Sequence, residues 1–230
     1  MACGCSTGWW RSTTRAEGRR AHAGSRRGAT AGALTSAGPG RMIGVRFRRG
    51  TPALLLESWT RPWLTDVMAF CYFVFLPYLF LSLAWYFFRP IALAQRFWAG
   101  LFTLYGIGFL GYSLVPAGGP WLALADRFTI PLEGSAPTAT LLGIIAAGTN
   151  GVDVFPSLHC AVSAYCLFFD RRHARWRYYA YLGPCIVLWA STLYLRYHYL
   201  VDLAAGFALA AFATWVAKRF EPCPVPETAA

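Results

Sequence analysis

Long apolar runs alternate along the chain with short polar, basic or Pro/Gly-containing stretches. Five runs have the length of membrane helices: Val67–Phe88, Phe97–Pro116, Ser157–Phe169, Trp176–Leu195 and Tyr199–Ala217. Their apolar residues come in blocks and not in one-sided stripes, and a bilayer core takes roughly 20 such residues in a helix. The third run is the short one, about 20 Å at ~1.5 Å per residue, and starts below the surface unless Phe155 and Pro156 extend it. Two segments, TPALLLESW (51–59) and PTATLLGIIAAG (137–148), are too short to cross. The first reads as interfacial, the second as re-entrant or interfacial. The pattern predicts an all-α, polytopic transmembrane helical bundle of about five or six membrane helices.

Outside this block the pattern stops. Residues 1–50 are Gly, Ala, Ser, Thr and Arg without a sustained apolar period, so they bury too little surface to offset chain entropy. They read as disordered or as a mis-called N-terminal extension, with Met42 as an alternative start; no apolar core of a signal peptide follows their charges. The division expected is thus 1–50 as extension, 51–220 as a membrane-integral domain and 221–230 as a short tail.

Composition agrees with a membrane setting: 57% of the 230 residues are hydrophobic and 13% charged, against about 25% charged in soluble domains. The net charge of +11 raises the possibility of a nucleic-acid partner, but its distribution argues for none. Much of the excess is Arg in the first fifty residues, and most of the rest lies between apolar runs. Lys218 is the sole lysine, which reflects a GC-rich coding bias. Arg89 and Arg96, then Arg171, Arg172, Arg175 and Arg177, then Lys218 and Arg219 follow alternate crossings, so all three groups fall on one side. The positive-inside rule makes that side cytoplasmic, in what reads as a bacterial plasma membrane. The Arg-rich N-terminus falls on the other side, against the rule, and the three short loops are given more weight. Cys71, Cys160, Cys166 and Cys185 sit inside apolar runs as small hydrophobes. Cys3 and Cys5 form a lone C-x-C with no partner pair, so no metal site is expected.

The candidate chemistry lies at the non-cytoplasmic ends of the runs. His159 opens the third run in DVFPSLHCAVS, and the chain returns to the same face at His198 in STLYLRYHYLVDLAAG. Pro156 suits a first helical position, and the free N–H groups of a helix start favour an anion such as phosphate. If the helix includes Tyr199 onward, His198 and Asp202 are four apart and share a face. A carboxylate on one imidazole nitrogen fixes the tautomer and leaves the other nucleophilic, the orienting role of hydrolase triads. Asp202 within an apolar run points to function by default. Arg196 can pair an anion with its forked guanidinium or simply snorkel to headgroups, while Tyr194, Tyr197 and Tyr199 suit an interfacial belt.

FPSLHCAVS followed by STLYLRYHYLVDLAAG resembles the second and third signature motifs of the type 2 phosphatidic acid phosphatase superfamily. PSLH and HYxxD match its inositol phosphorylceramide synthase-like branch. Weaker similarity extends through WTRPWLTDVMAFCYFVFLP and LGYSLVPAGGP, covering about Trp59 to Phe220. The resemblance implies His198 as the nucleophile that forms a phosphohistidine, Asp202 as its orienter and His159 as the general acid, with no cofactor. Three departures concern the basic residues. Arg89-Pro90 lacks the preceding Lys of the first motif and falls on the cytoplasmic side. Ser191-Thr192 stands where Ser-Arg is usual. Trp121 stands where an Arg often follows the Gly-Gly-Pro turn. Arg196, Arg127 and Ser157 are therefore the candidate phosphate contacts.

The expected activity is that of a lipid phosphatase or phosphotransferase at the outer membrane face, with a lipid phosphate or phospholipid as substrate and membrane lipid around it. Water or an alcohol resolves the same intermediate, and the residues do not choose between them. The alternative is a weakened or inactive protein of the same scaffold that binds lipid phosphates. Intact His159, His198 and Asp202 weigh against that alternative, and the missing basic residues weigh for it.

Overall fold

A computed structural model of the chain describes residues 51–148, 151 and 153–222. The expectations for residues 1–50, including Cys3, Cys5 and Met42, and for 223–230 lie outside the described residues. The described chain is all helical apart from its connections: α1 (Pro52–Leu56), α2 (Pro62–Phe73), α3 (Phe75–Phe87), α4 (Ile91–Leu114), α5 (Pro120–Ala123), α6 (Ala136–Ala147), α7 (Leu158–His173), α8 (Arg175–Tyr194) and α9 (Leu200–Arg219). Short 3-10 turns at Glu57–Trp59 and Ala125–Arg127 complete it.

The first predicted run begins five residues early, because Pro62 supplies a pre-set first helical position after Arg61. α2 and α3 form one apolar rod interrupted only at Val74. Pro77 explains the interruption: it has no N–H to give to the carbonyl of Phe73, and its ring crowds that carbonyl. The rod Pro62–Phe87, α4 and α9 are long and apolar enough to cross a membrane, which makes this an integral membrane protein.

The remaining two predicted spans depart from that description for different reasons. α7 has 16 residues, about 24 Å, and ends in Asp170, Arg171, Arg172 and His173. α8 has 20 residues but dilutes its apolar positions with arginines, tyrosines and Pro184. α7 is instead the central helix. Its residues from Leu158 to Leu167 are nearly all buried, and α3, α4, α8 and α9 pack around it. A helix apolar on every side needs such a sheath.

Small residues and a few polar ties set the close crossings. Gly206 of α9 lies so near α7 that a Cβ there would stand 2.7 Å from the Ser157 carbonyl oxygen. Gly111 of α4 accepts the Pro156 ring in the same way, at 2.5 Å. Small residues allow such approach where apolar burial alone gives no preference between lipid and helix. The Tyr165 hydroxyl donates to the Phe97 carbonyl at 2.7 Å, tying α7 to α4. Asp66 of α2 accepts from the Ser135 amide and the Thr138 hydroxyl, which holds α6 against α2. Cys160, Cys166 and Cys185 are buried and Cys71 half-buried, all as free thiols.

A buried polar cluster sits near the far end of α7. Asp170 accepts from the hydroxyls of Tyr86 at 2.5 Å and Tyr78 at 3.2 Å, and pairs with Arg177 Nε at 3.0 Å. Arg177 also donates to Ser82 Oγ at 2.6 Å. The pair is thus hydrogen-bonded on both sides, which satisfies the condition for keeping an ion pair out of water, and the cluster locks α3, α7 and α8 together.

Candidate active site

The start of α7 is built by Ser157, not by Pro156. Ser157 is the N-cap, its Oγ accepting the Cys160 amide at 3.5 Å. Leu158 is therefore the first helical residue and His159 the second. Pro156 lies one residue before the cap, so the expected first-position proline is corrected. Ser157 is fully buried, and its amide donates to the Asp202 carbonyl at 3.1 Å. That bond fixes the starts of α7 and α9 side by side.

His159 is thereby set beside the segment that carries His198, and the two ring centroids are 5.9 Å apart. Tyr72 and Phe75 hold the His159 ring at centroid distances of 4.6 and 4.7 Å. Its backbone carbonyl accepts from Ser163 Oγ, which in turn accepts from Trp189 Nε1. The site thus rests on α2, α3, α7 and α8 together.

His198 lies in the turn between α8 and α9, since helix resumes only at Leu200 with Tyr199 as its cap. The expected common helix face for His198 and Asp202 is corrected accordingly. Asp202 is the third residue of α9, and its Oδ2 accepts the Tyr199 amide at 2.7 Å. The same oxygen is 3.7 Å from His198 Nδ1. The hydrogen bond of Nδ1 goes instead to the Val154 carbonyl at 3.1 Å. A carbonyl oxygen only accepts, so Nδ1 carries a proton, and in the neutral imidazole the lone pair is on Nε2. Val154 was not visible as a participant, because a backbone carbonyl has no residue signature.

Both histidines line one cavity of about 370 Å³. Its walls are largely aromatic and aliphatic, with Tyr72, Phe75, Tyr112, Trp121, Tyr197 and Ile145 among them, and Asp153 is its carboxylate. Trp121 is fixed there by its amide, which donates to the Arg196 carbonyl at 2.8 Å. Gly119 comes so close to the Tyr197 carbonyl that a Cβ would stand 2.7 Å from it. Asp153 is joined to Ala117 by an isolated parallel bridge. It opens the motif DVFPSLH, and a carboxylate beside an apolar run was the available signal for it.

The candidate phosphate contacts are not gathered into this cavity. Arg196 adopts φ 66°, the left-handed region that side chains other than Gly seldom occupy. Its guanidinium donates to the Ile130 carbonyl at 2.7 Å, lies 3.9 Å from Glu57 and stacks 3.9 Å over the Phe128 ring. Burial works against the ionised Glu57, but the Ile130 and Thr129 amides and Arg196 outweigh it and hold its carboxyl below the usual range. Arg196 is therefore a latch for the loop that carries Phe128 and Ile130. Arg127 is exposed in the turn after α5, and Ser157 is buried as a cap. Among the described lining residues there is no Arg or Lys. Arg89 stacks 3.7 Å over Trp85, away from the histidines.

The family model described as the PAP2 superfamily matches residues 50–216. The chain belongs to the PAP2 superfamily. The match includes both histidine motifs and every helix that packs on them. No curated protein and no solved structure matches the chain. PAP2 membership supports phosphatase or phosphotransferase chemistry on phosphorylated lipids, in keeping with the membrane-length helices.

Proposed function

We propose that this PAP2 protein cleaves the phosphate ester of a lipid headgroup through a phosphohistidine on His198, at the non-cytoplasmic face. The observation that carries the reading is the pair of histidine rings 5.9 Å apart in one cavity, with His198 Nδ1 bonded to a carbonyl. In the first step Nε2 of His198 bonds to phosphorus while the phosphorus–oxygen bond to the lipid breaks. His159 gives its proton to the leaving lipid oxygen. In the second step water or an alcohol attacks the phosphorus, the N–P bond breaks, and the proton of the attacking hydroxyl goes to His159. The covalent route divides one difficult displacement into two, and the shared acid–base is the usual economy of such sites. Asp202, 3.7 Å from Nδ1, stabilises the positive imidazole of the intermediate. The likeness to the inositol phosphorylceramide synthase-like branch extends to this His-His-Asp unit and says nothing here about the headgroup.

The test is to quench the protein with base during turnover of a lipid labelled in phosphorus. Label that is stable to base, labile to acid and mapped to the peptide containing His198 is expected. Label on another residue, or none during demonstrable turnover, contradicts the mechanism. A second reading, lipid binding without turnover, is favoured by the lack of Arg or Lys among the described cavity residues. It predicts lipid retention without product.

A further inference from the structure

The end of α7 opposite the histidines carries a second cleft, which the proposed chemistry does not use. It measures about 930 Å³ and is lined by Arg171, Arg172 and His173 of α7, Arg175 of α8 and Lys218 of α9. A smaller recess of about 120 Å³ shares Arg172, His173 and Lys218 and adds Arg96 of α4. His159 and His173 are fourteen residues apart on one helix, roughly 21 Å at ~1.5 Å per residue, so the cleft is separate from the histidine cavity.

The cations here are unpaired. Neither lining includes an Asp or Glu. Among the described residues the arginine ion pairs are Arg177–Asp170 and Arg196–Glu57, so Arg96, Arg171, Arg172, Arg175 and Lys218 belong to none. Arg89 and Arg219, at the same end, lie instead over the rings of Trp85 and Trp215. The positive-inside rule accounts for basic residues at this end, but not for five of them converging from four helices on one cleft and its recess. Burial, then the charges of Arg172 and Arg96, keep the His173 pKa below its usual value against the pull of Asp170. Like charges gathered in this way repel one another, and a bound anion relieves the repulsion.

The apolar part of the cleft decides the kind of anion. Phe168 lines it and is the one exposed residue of α7 between Cys160 and Asp170. The sheath of helices around α7 is open there. On α9 the wall continues through Thr214 to Ala211. Ala211 is seven residues from Lys218 on a helix of membrane length, roughly 10 Å deeper. The cleft therefore runs from charged helix ends into the depth of the acyl chains. A soluble phosphate ester has no use for that depth. A phospholipid fills it with a chain while its phosphate meets the guanidinium forks, the pattern of basic pockets between membrane helices.

We propose that this cleft binds an anionic phospholipid of the leaflet on that side. Its phosphate is held by Arg171, Arg172, Arg175 and Lys218, and a chain lies over Phe168 and Ala211. The lipid closes the gap in the sheath and ties the ends of α7 and α9 to the start of α8. The proposal stands independently of the histidine chemistry.

The test uses the full chain in neutral detergent, with phosphatidylglycerol and phosphatidylcholine of matched chains as probes and native mass spectrometry as the readout. A basic residue beside an anionic headgroup contributes about fivefold in affinity, so phosphatidylglycerol is expected to bind at least about tenfold tighter. Arg172→Gln, Arg175→Gln and Lys218→Gln together should remove that preference, and His198→Ala should keep it. Phosphatidylglycerol should also raise the melting temperature of the wild type. A second measurement needs no variant: phosphatidylglycerol with a diazirine near the top of one chain is cross-linked to the wild type. Label on the peptides containing Phe168 and Ala211 is expected. Equal binding of the two lipids, a preference kept in the triple variant, or label confined to other peptides would overturn the proposal. Displacement of phosphatidylglycerol by equimolar glycerophosphoglycerol would overturn it too, by making the site one for a soluble phosphate ester.

Discussion

On the proposed mechanism Asp202 has two tasks in one carboxylate, and substitutions separate them. Its Oδ2 caps α9 through the Tyr199 amide and stands 3.7 Å from His198 Nδ1. Asn keeps an acceptor for the cap but loses the charge. At 3.7 Å, an imidazolium and a carboxylate attract by about 4 kcal/mol at an effective dielectric constant of ~20. Asp202→Asn is therefore expected to lower kcat at least tenfold with little change in thermal stability. Asp202→Ala adds the loss of the cap, about 1 kcal/mol, visible as a lower melting temperature. An unchanged kcat in Asp202→Asn would remove the charge from the mechanism. The sequence spacing had placed the same two side chains on one helix face; they meet across a helix start instead. Residue types and separations read directly from the chain, whereas the hydrogen bond of Nδ1 to the Val154 carbonyl depends on a connection that no side chain marks.

The elements align the site through backbone proximity. Gly206 lets α9 touch the Ser157 carbonyl, and the Ser157 amide bonds to the Asp202 carbonyl. Gly206→Ala puts a methyl 2.7 Å from that oxygen, where backbone must move. Turnover is expected to fall more than tenfold even in protein that still purifies as a folded species; normal kinetics would show that the α7–α9 crossing has slack. The Asp170–Arg177 pair tests the other end of α7. Arg177→Leu leaves a buried carboxylate without its cation, a change of about 3–5 kcal/mol in comparable pairs. The melting temperature in detergent should drop clearly, and Asp170→Asn with Arg177→Leu should recover part of the loss. No drop would mean the pair is not part of what holds α3, α7 and α8. Hydropathy made the helices legible, including α6 as a short separate element, and Pro77 accounts for the break at Val74. It did not distinguish an outer span from the sheathed α7, because burial by neighbours and burial by lipid select the same apolar residues.

At the scale of the whole molecule, three helices have the length and apolarity of membrane spans, and the basic residues of the loops set an expected orientation. Single cysteines introduced at Glu133, in the loop before α6, and at Arg171, near the end of α7, should respond oppositely in intact cells. An impermeant maleimide is expected to label position 133 and spare position 171; the reverse pattern would turn the site toward the cytoplasm. The fold, the two histidine motifs and the PAP2 assignment were accessible from the chain. The cation-poor cavity was not, because Arg196 lies two residues from His198 while its guanidinium is held by the Ile130 carbonyl, and Arg127 is exposed in its turn. The most direct measurement is diacylglycerol release from a phospholipid panel by the purified protein beside His198→Ala. Loss of at least a thousandfold in that variant, with its melting temperature retained, is the expected result. Release from any lipid at the wild-type rate by His198→Ala would contradict a catalytic role for the histidine pair.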